Sequence, residues 1–274
     1  MYDIRKLLLS TGIRPSDKLS QNFLIDSNIV EAEIGFADLR NDDVVLDIGS
    51  GFGFLAEQAS KKARKVIAVE LDRRLAPYLR RHFEKNKNVE VVEGDILDVV
   101  KNLEFDKVVA NIPYSISSQI TFSLFDKNFE LAVICYQKEF AQRMVAKPGS
   151  GDYSRLSVMT NYFADADILM TVPKKSFYPQ PDVDSGIVMI KPKKEKPYKV
   201  GDEKSFFKIV SVLFQHKKQT VRNALVHSSK TLGLGKKEIK NIGLGSLESR
   251  RVFTLSGKEI AAVSEEVKKY AQRN

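Results

Sequence analysis

The sequence predicts an α/β protein, a doubly wound sheet followed by a small helical domain. Four short apolar runs each close on residues suited to holding a ligand, the first of them leads straight into a glycine-rich turn, and apolar residues beyond residue 191 switch to helical spacing. In an open α/β sheet ligands bind outside the carboxyl ends of the strands, so the residues at those ends are where chemistry is expected.

The first run, Val44-Val45-Leu46-Asp47-Ile48, meets Gly49-Ser50-Gly51-Phe52-Gly53, and a helix is expected to begin near Leu55. Gly49 and Gly51 allow a tight turn and a close approach of backbone to ligand. The spacing is G-x-G-x-G, which differs from the dinucleotide fingerprint. The second run, Val66-Ile67-Ala68-Val69, closes on Glu70, where a carboxylate can accept from two ribose hydroxyls. The third, Val89-Glu90-Val91-Val92, leads to Glu93-Gly94-Asp95-Ile96, where Asp95 can accept from an adenine amine while Ile96 packs on the ring. Each acidic residue alone also reads as an ordinary solvated charge, and only their order on successive strand ends argues for a nucleoside-bearing cofactor.

The fourth run, from Lys107 to Ala110, ends in Asn111-Ile112-Pro113-Tyr114. A nucleobase amine is a poor nucleophile because its lone pair is delocalised into the ring. The Asn111 side-chain carbonyl and the Ile112 main-chain carbonyl can accept its two protons and favour a pyramidal nitrogen. Pro113 restricts the backbone, and Tyr114 offers a flat face to the base. The plainer reading is a strand ending in a turn.

These residues resemble the class I S-adenosylmethionine-dependent methyltransferases, which have a Rossmann-like doubly wound sheet. More narrowly, they resemble the small-subunit rRNA adenine dimethyltransferase family, known in bacteria as KsgA. The resemblance extends through Gln21-Asn22-Phe23-Leu24, Gln137-Lys138-Glu139 with Arg143, Tyr153 to Val158, Phe177 to Ser185 and Thr220 to Leu225, and the wording at 136 to 141 is of the archaeal or eukaryotic type. It implies S-adenosyl-L-methionine as cofactor, held by Asn22, Leu24, Gly49, Gly51, Glu70, Asp95 and Asn111. It also implies an adenine placed by Asn111, Pro113 and Tyr114 and stacked by Phe177, with two adjacent adenosines near the 3′ end of small-subunit rRNA each receiving two methyl groups. Small-subunit rRNA and the immature small ribosomal subunit are the implied partners. Ile112 stands for the family's usual Leu, Ser154 for its common Gly, and Lys217-Lys218-Gln219 for a more arginine-rich stretch, which keeps charge but loses bidentate geometry.

At 274 residues the chain can hold two domains, expected at 1–191 (cofactor-dependent catalysis) and 192–274 (basic, helical, RNA-binding), with the boundary at Lys191-Pro192-Lys193. Residues 1–172 carry 22 Lys and Arg against 25 Asp and Glu, whereas residues 173–274 carry 22 against 10, so the net charge of +9 comes from the last third. Such a lobe suits a polyanion, since phosphate neutralisation supplies most sequence-independent affinity. Lys217, Lys218 and Arg222 are the expected phosphate contacts, with Lys218 and Arg222 sharing a face if their segment is helical. Phe206, Phe207 and Phe214 are read as core. No run approaches the length of a membrane span, no metal-ligand cluster stands out, and the single Cys135 lies in an apolar run, so a cytoplasmic monomer without membrane contact is expected. The site motifs leave open a large-subunit rRNA methyltransferase, or a ribosome-assembly checkpoint that binds the immature subunit. A DNA adenine methyltransferase typically starts its motif with Asp, and an oxidoreductase lacks support in the glycine spacing.

Overall fold

The structure is a computed structural model that describes residues 3–273. It divides into two compact units, one comprising the chain up to Ala141 with Ala166–Pro192, the other Gln142–Asp165 with the chain from Lys193 onward. No helix among the described residues is long and apolar enough to cross a membrane.

The strands are β1 (Phe23–Leu24), β2 (Val44–Ile48), β3 (Lys65–Glu70), β4 (Val89–Glu93), β5 (Lys107–Asn111), β6 (Leu131–Gln137), β7 (Ala164–Val172), β8 (Phe177–Tyr178) and β9 (Ser185–Pro192). Seven form one sheet in the order β4-β3-β2-β5-β6-β9-β7, and β1 pairs with β8 in a separate ribbon. The first five of that order run parallel, whereas β9 is antiparallel to β6. This is the doubly wound α/β class expected from sequence.

The runs of β2, β3 and β5 are contiguous because parallel strands buried on both faces need near-continuous apolar residues, whereas β4 lies at the sheet edge and is only partly buried. Val45, Leu46, Val66, Ala68, Val108 and Ala110 are completely buried. Register aligns the carboxyl ends: Ile48 pairs with Val69, and Glu70 with Glu93. The glycine turn is fastened to the neighbouring strand tip, since the N–H groups of Gly49 and Ser50 both donate to the Val69 carbonyl at 2.8 and 3.1 Å.

The strand that ends in Asn111 is clamped at its other end. Lys107 is 3% exposed, and its Nζ donates to the Asp38 carbonyl at 2.6 Å and pairs with Asp43 at 2.9 Å. A buried ion pair adds little over an apolar pair of the same shape, but removing one partner strands the other charge.

The helical unit is built around Arg155–Phe163, Glu203–Gln215, Val221–His227 and Gly257–Arg273. Its core contains Phe206, Val210, Leu213, Leu225 and Val263, with Phe207 and Phe214 packed against it at partial exposure. The expected split at 191/192 omits residues 142–165, which belong here. Tyr162 explains why: its ring lies 5.5 Å from Phe206 and 5.4 Å from Tyr198 between centroids, and its hydroxyl donates to Glu203 at 2.7 Å. Ser154, where a Gly was anticipated, has extended backbone (φ −152°), so no glycine is required. Counted over 142–165 and 193–274, the unit carries 22 basic against 10 acidic residues, and the charge asymmetry follows the structural division.

Lys107→Met is expected to destabilise the protein by about 3–5 kcal/mol by leaving Asp43 buried and unpaired. Urea unfolding checks this, and the double change Lys107→Met with Asp43→Leu should recover most of the loss.

Candidate active site

The tips of β2, β3 and β5, with the turn after β4, open onto a cleft of about 1030 Å³ counted with its mouth, lined also by Gln21, Asn22 and Phe23. Gly49 and Gly51 are in the left-handed region at φ +71° and +58°. A Cβ on Gly49 would stand 3.4 Å from Pro113 Cδ, and one on Gly51 would stand 3.1 Å from the Phe23 ring. The loop therefore packs bare backbone against both the Asn-Ile-Pro-Tyr segment and the Gln-Asn-Phe segment.

Glu70 lines the cleft, but much of its carboxylate serves the loop. Oε2 accepts from the Gly51 N–H and Oε1 from the Asp72 N–H, each at 2.8 Å. Burial raises its pKa, and those two N–H groups oppose the rise. Gln21 Nε2 donates to Asp72 at 2.8 Å, which ties the N-terminal segment to the same tip. The Arg74 guanidinium bonded to Asp72 holds that carboxyl down at about 2. Asp95 caps the short helix Ile96–Val99 through Oδ1 and the Leu97 N–H at 2.9 Å, and Asp95 and Ile96 both line the cleft.

Asn111 is the last residue of β5. Its Nδ2 donates to Glu33 Oε2 at 3.2 Å, while its Oδ1 is buried without a partner among the described residues. Pro113 holds φ −60° and leads into the turn carrying Tyr114, whose hydroxyl bonds Ser185 Oγ at 2.6 Å and whose pKa is raised by burial. Phe177 lines the same cleft at 3% exposure. Its backbone pairs with Leu24, so it is also part of the core, a dual position that stacking alone does not describe. Leu24 lies off the main cleft in an adjoining cavity that Asn22, Asp47 and Asn111 share.

Two residues that sequence reasoning passed over adjoin the site, Asp47 in the neighbouring cavity and Glu33 behind Asn111. Asp47, on β2 just before the glycines, and Glu33, on the helix Ser27–Phe36, are buried acids, and each has one carboxylate oxygen without a partner. Burial lifts the Asp47 carboxyl to about 7 and the Glu33 carboxyl well above the usual range. The signal for Asp47 was its place beside Gly49. For Glu33 it was an acidic residue on an apolar helix face with Ile29, Val30 and Ile34. Buried polar atoms are ordinarily paired. Orphan oxygens on Asp47 and Asn111 beside the cleft, with a backbone cradle that a Cβ would fill, fit a ligand with hydrogen-bond donors and positive charge.

In the helical unit the expected phosphate contacts do not hold as a set. Arg222 is committed inside the unit: its guanidinium donates to the carbonyls of Ile239 and Ile242 and to Glu248. Lys217 Nζ donates to the Gly151 carbonyl at 2.9 Å. Lys218 is exposed, but it precedes the helix Val221–His227 and shares no helical face with Arg222. A single sequence shows the charge of such residues but not the carbonyls that capture them.

Between its ordinary value of 3.8 and about 7, folded Asp47 keeps a proton that the unfolded chain releases. Stability of the ligand-free protein should therefore fall as pH rises through that window, since the folded state binds more protons there. Asp47→Asn is expected to flatten part of this decline, raising stability at pH about 8 more than at pH about 5, as read by urea unfolding at both.

Comparison with known proteins accords with this geometry. The probable ribosomal RNA small subunit methyltransferase A of Pyrococcus abyssi is 43% identical over 268 residues, covering 96% of each chain. Among solved structures, a dimethyladenosine transferase from Plasmodium falciparum superposes with TM-score 0.78 at 28% identity, covering 91% of this chain and 98% of that one. The 23S rRNA methyltransferase ErmE superposes with TM-score 0.65 at 26% identity, covering 90% and 100%. The family profile described as ribosomal RNA adenine dimethylase matches residues 14–252, a span that takes in the parallel sheet and the whole cleft, so the chain is an rRNA methyltransferase and belongs to the ribosomal RNA adenine dimethylase family.

Proposed function

We propose that this enzyme transfers methyl groups to the exocyclic amines of two adjacent adenosines in the 3′-terminal hairpin loop of small-subunit rRNA, during maturation of the small ribosomal subunit. The observation that carries the reading is Asn111 Oδ1, a buried acceptor without a partner at a strand tip, in a cleft that Tyr114 and Phe177 also line. When bound, S-adenosylmethionine supplies an activated methyl group on a sulfonium centre. Glu70 and Asp95 would hold its nucleoside, Ile96 would pack on the adenine, Gly49 and Gly51 would admit it close to the backbone, and Asn22 would line its site.

The chain's own part is chiefly orientation. Asn111 Oδ1 and the Ile112 carbonyl accept from the substrate amine and direct its lone pair. Tyr114 and Phe177, which both line the cleft, would hold the extruded base, with aromatic contacts worth roughly 1–3 kcal/mol each against the loss of stacking and pairing in the RNA. The Tyr114 hydroxyl is engaged with Ser185 and its pKa is raised, so Tyr114 offers a ring face rather than a base. No strong general base is required, because the amine proton becomes acidic once the nitrogen is alkylated.

The small subunit is favoured over the large as substrate by near-full-length identity of 43% to a protein named for the small subunit, against 26% to a protein named for 23S rRNA. Incubation with labelled S-adenosylmethionine and small-subunit particles lacking the modification, followed by mapping of the labelled nucleotides, tests the assignment. Label on large-subunit rRNA alone would reverse it. A checkpoint role is compatible with catalysis and is separated from it by asking whether a transfer-dead variant still binds immature subunits.

Asn111→Ala should keep most RNA affinity while slowing methyl transfer at least about a hundredfold in single-turnover assays. Glu70→Ala should weaken cofactor binding by about 1.5–3 kcal/mol in calorimetry, part of it through release of the glycine loop. Phosphate binding by the helical unit should rest on exposed cations. Changing Lys218 and Arg251 together to Gln is expected to lower the log–log salt slope of RNA binding by about 0.7–0.9 for each phosphate no longer neutralised, with cofactor affinity unchanged. Arg222→Gln should instead lower the thermal midpoint.

A further inference from the structure

Glu33 is fully buried on the helix Ser27–Phe36, on the face that carries Ile29, Val30 and Ile34. Burying a carboxyl group without a cation is costly. The groups that act on it are Asn111 at the tip of β5, Asp47 on β2, Cys135 on β6 and Tyr114 after β5, and none is basic. Its one side-chain hydrogen bond among the described residues runs to the residue at the centre of the proposed chemistry: Oε2 accepts from Asn111 Nδ2 at 3.2 Å.

The two ends of an Asn amide have nearly the same shape and opposite hydrogen-bonding character. With Nδ2 turned to the cleft, Asn111 would present donors to an amine that is itself a donor, and the lone pair of that amine would not be directed. With Oδ1 turned to the cleft, Asn111 accepts. Something must choose, and a carboxyl oxygen behind the amide chooses the NH2 end for itself. Burial raises the Glu33 pKa, and the protonated group takes the NH2 end when its proton sits on Oε1, the arrangement in which Nδ2 faces Oε2; a proton on Oε2 would be donated to Oδ1 and reverse the choice.

We propose that Glu33 is a positioning residue, which takes Asn111 Nδ2 and thereby fixes Oδ1 toward the substrate amine. It touches neither cofactor nor base, and the inference rests on the role of Asn111 proposed above. The carboxyl is retained at a cost to stability because it sets the polarity of the amide in front of it.

The test uses Glu33→Leu, which removes the acceptor but keeps apolar bulk, and Glu33→Gln, which keeps the shape but can pair with either end of the amide. Each is read by single-turnover methyl transfer at saturating cofactor, by cofactor affinity in calorimetry, and by the side-chain amide resonances of Asn111, assigned in isotope-labelled protein by their loss in Asn111→Ala. Glu33→Leu is expected to slow transfer about tenfold or more, leave cofactor affinity within about twofold, and shift the Asn111 resonances, with Glu33→Gln between it and the parent. Parental rates in both variants, or Asn111 resonances that neither change moves, would overturn the proposal. Parental transfer by Asn111→Ala would instead remove the role of Asn111 itself, so the two failures are distinct. Should Glu33→Leu not fold, the isosteric Glu33→Gln carries the same readouts.

Discussion

The site depends on one carboxylate. Glu70, at the tip of β3, takes the N–H of Gly51 on one oxygen and that of Asp72 on the other, and so binds the turn after β2 to the turn after its own strand. Asp72, held in place, receives Gln21, and the segment before β1 is thereby brought to the cleft. A hydrogen bond to a charged group contributes about 1.5–3 kcal/mol, and two in series at strand tips add to the packing of Phe52, which already anchors the glycine loop. The cleft-facing geometry of three segments thus follows from one residue that fastens their turns together.

Much of the fold was legible because parallel strands are written as continuous apolar runs. Val44–Ile48, Val66–Val69 and Lys107–Ala110 show that pattern, and the glycines after the first mark the turn. The lining of the cleft was legible as far as it lies at or just past strand ends, as Glu70, Asp95 and Asn111 do. What stayed hidden depends on contacts between distant parts of the chain. Glu33 meets Asn111 across 78 residues, and the guanidinium of Arg222 is occupied by carbonyls 17 and 20 residues further on. Neither pairing leaves a periodic trace. The boundary near residue 192 was visible as a charged, proline-containing stretch, whereas the excursion at 142–165 was not, since an amphipathic helix reads the same whichever core it joins.

Charge is divided unequally between the two units. The sheet unit has a slight acidic excess and buries two acids, Asp47 and Glu33, beside its cleft. The helical unit carries the basic surplus, part of which is consumed internally by Arg222, Lys217 and the pair of Arg250 with Glu259. A count of lysines and arginines therefore overstates the positive groups available to a polyanion, and the exposed cations such as Lys218 and Arg251 are the ones that remain.

The placement of β9 sets the order in which this chain can be assembled. It lies between β6 and β7 although both precede it in sequence, so the sheet cannot close until residues 185–192 have been made. A growing chain holding only the first seven strands has β6 with an open edge and β7 with no neighbour to pair with, the kind of edge that invites wrong partners. Residues 142–165 must likewise wait for the helices beyond 193 that bury Tyr162. Neither unit is complete when the nascent chain has passed Asn111, and the strand tips that line the cleft are therefore synthesised well before the scaffold that holds them.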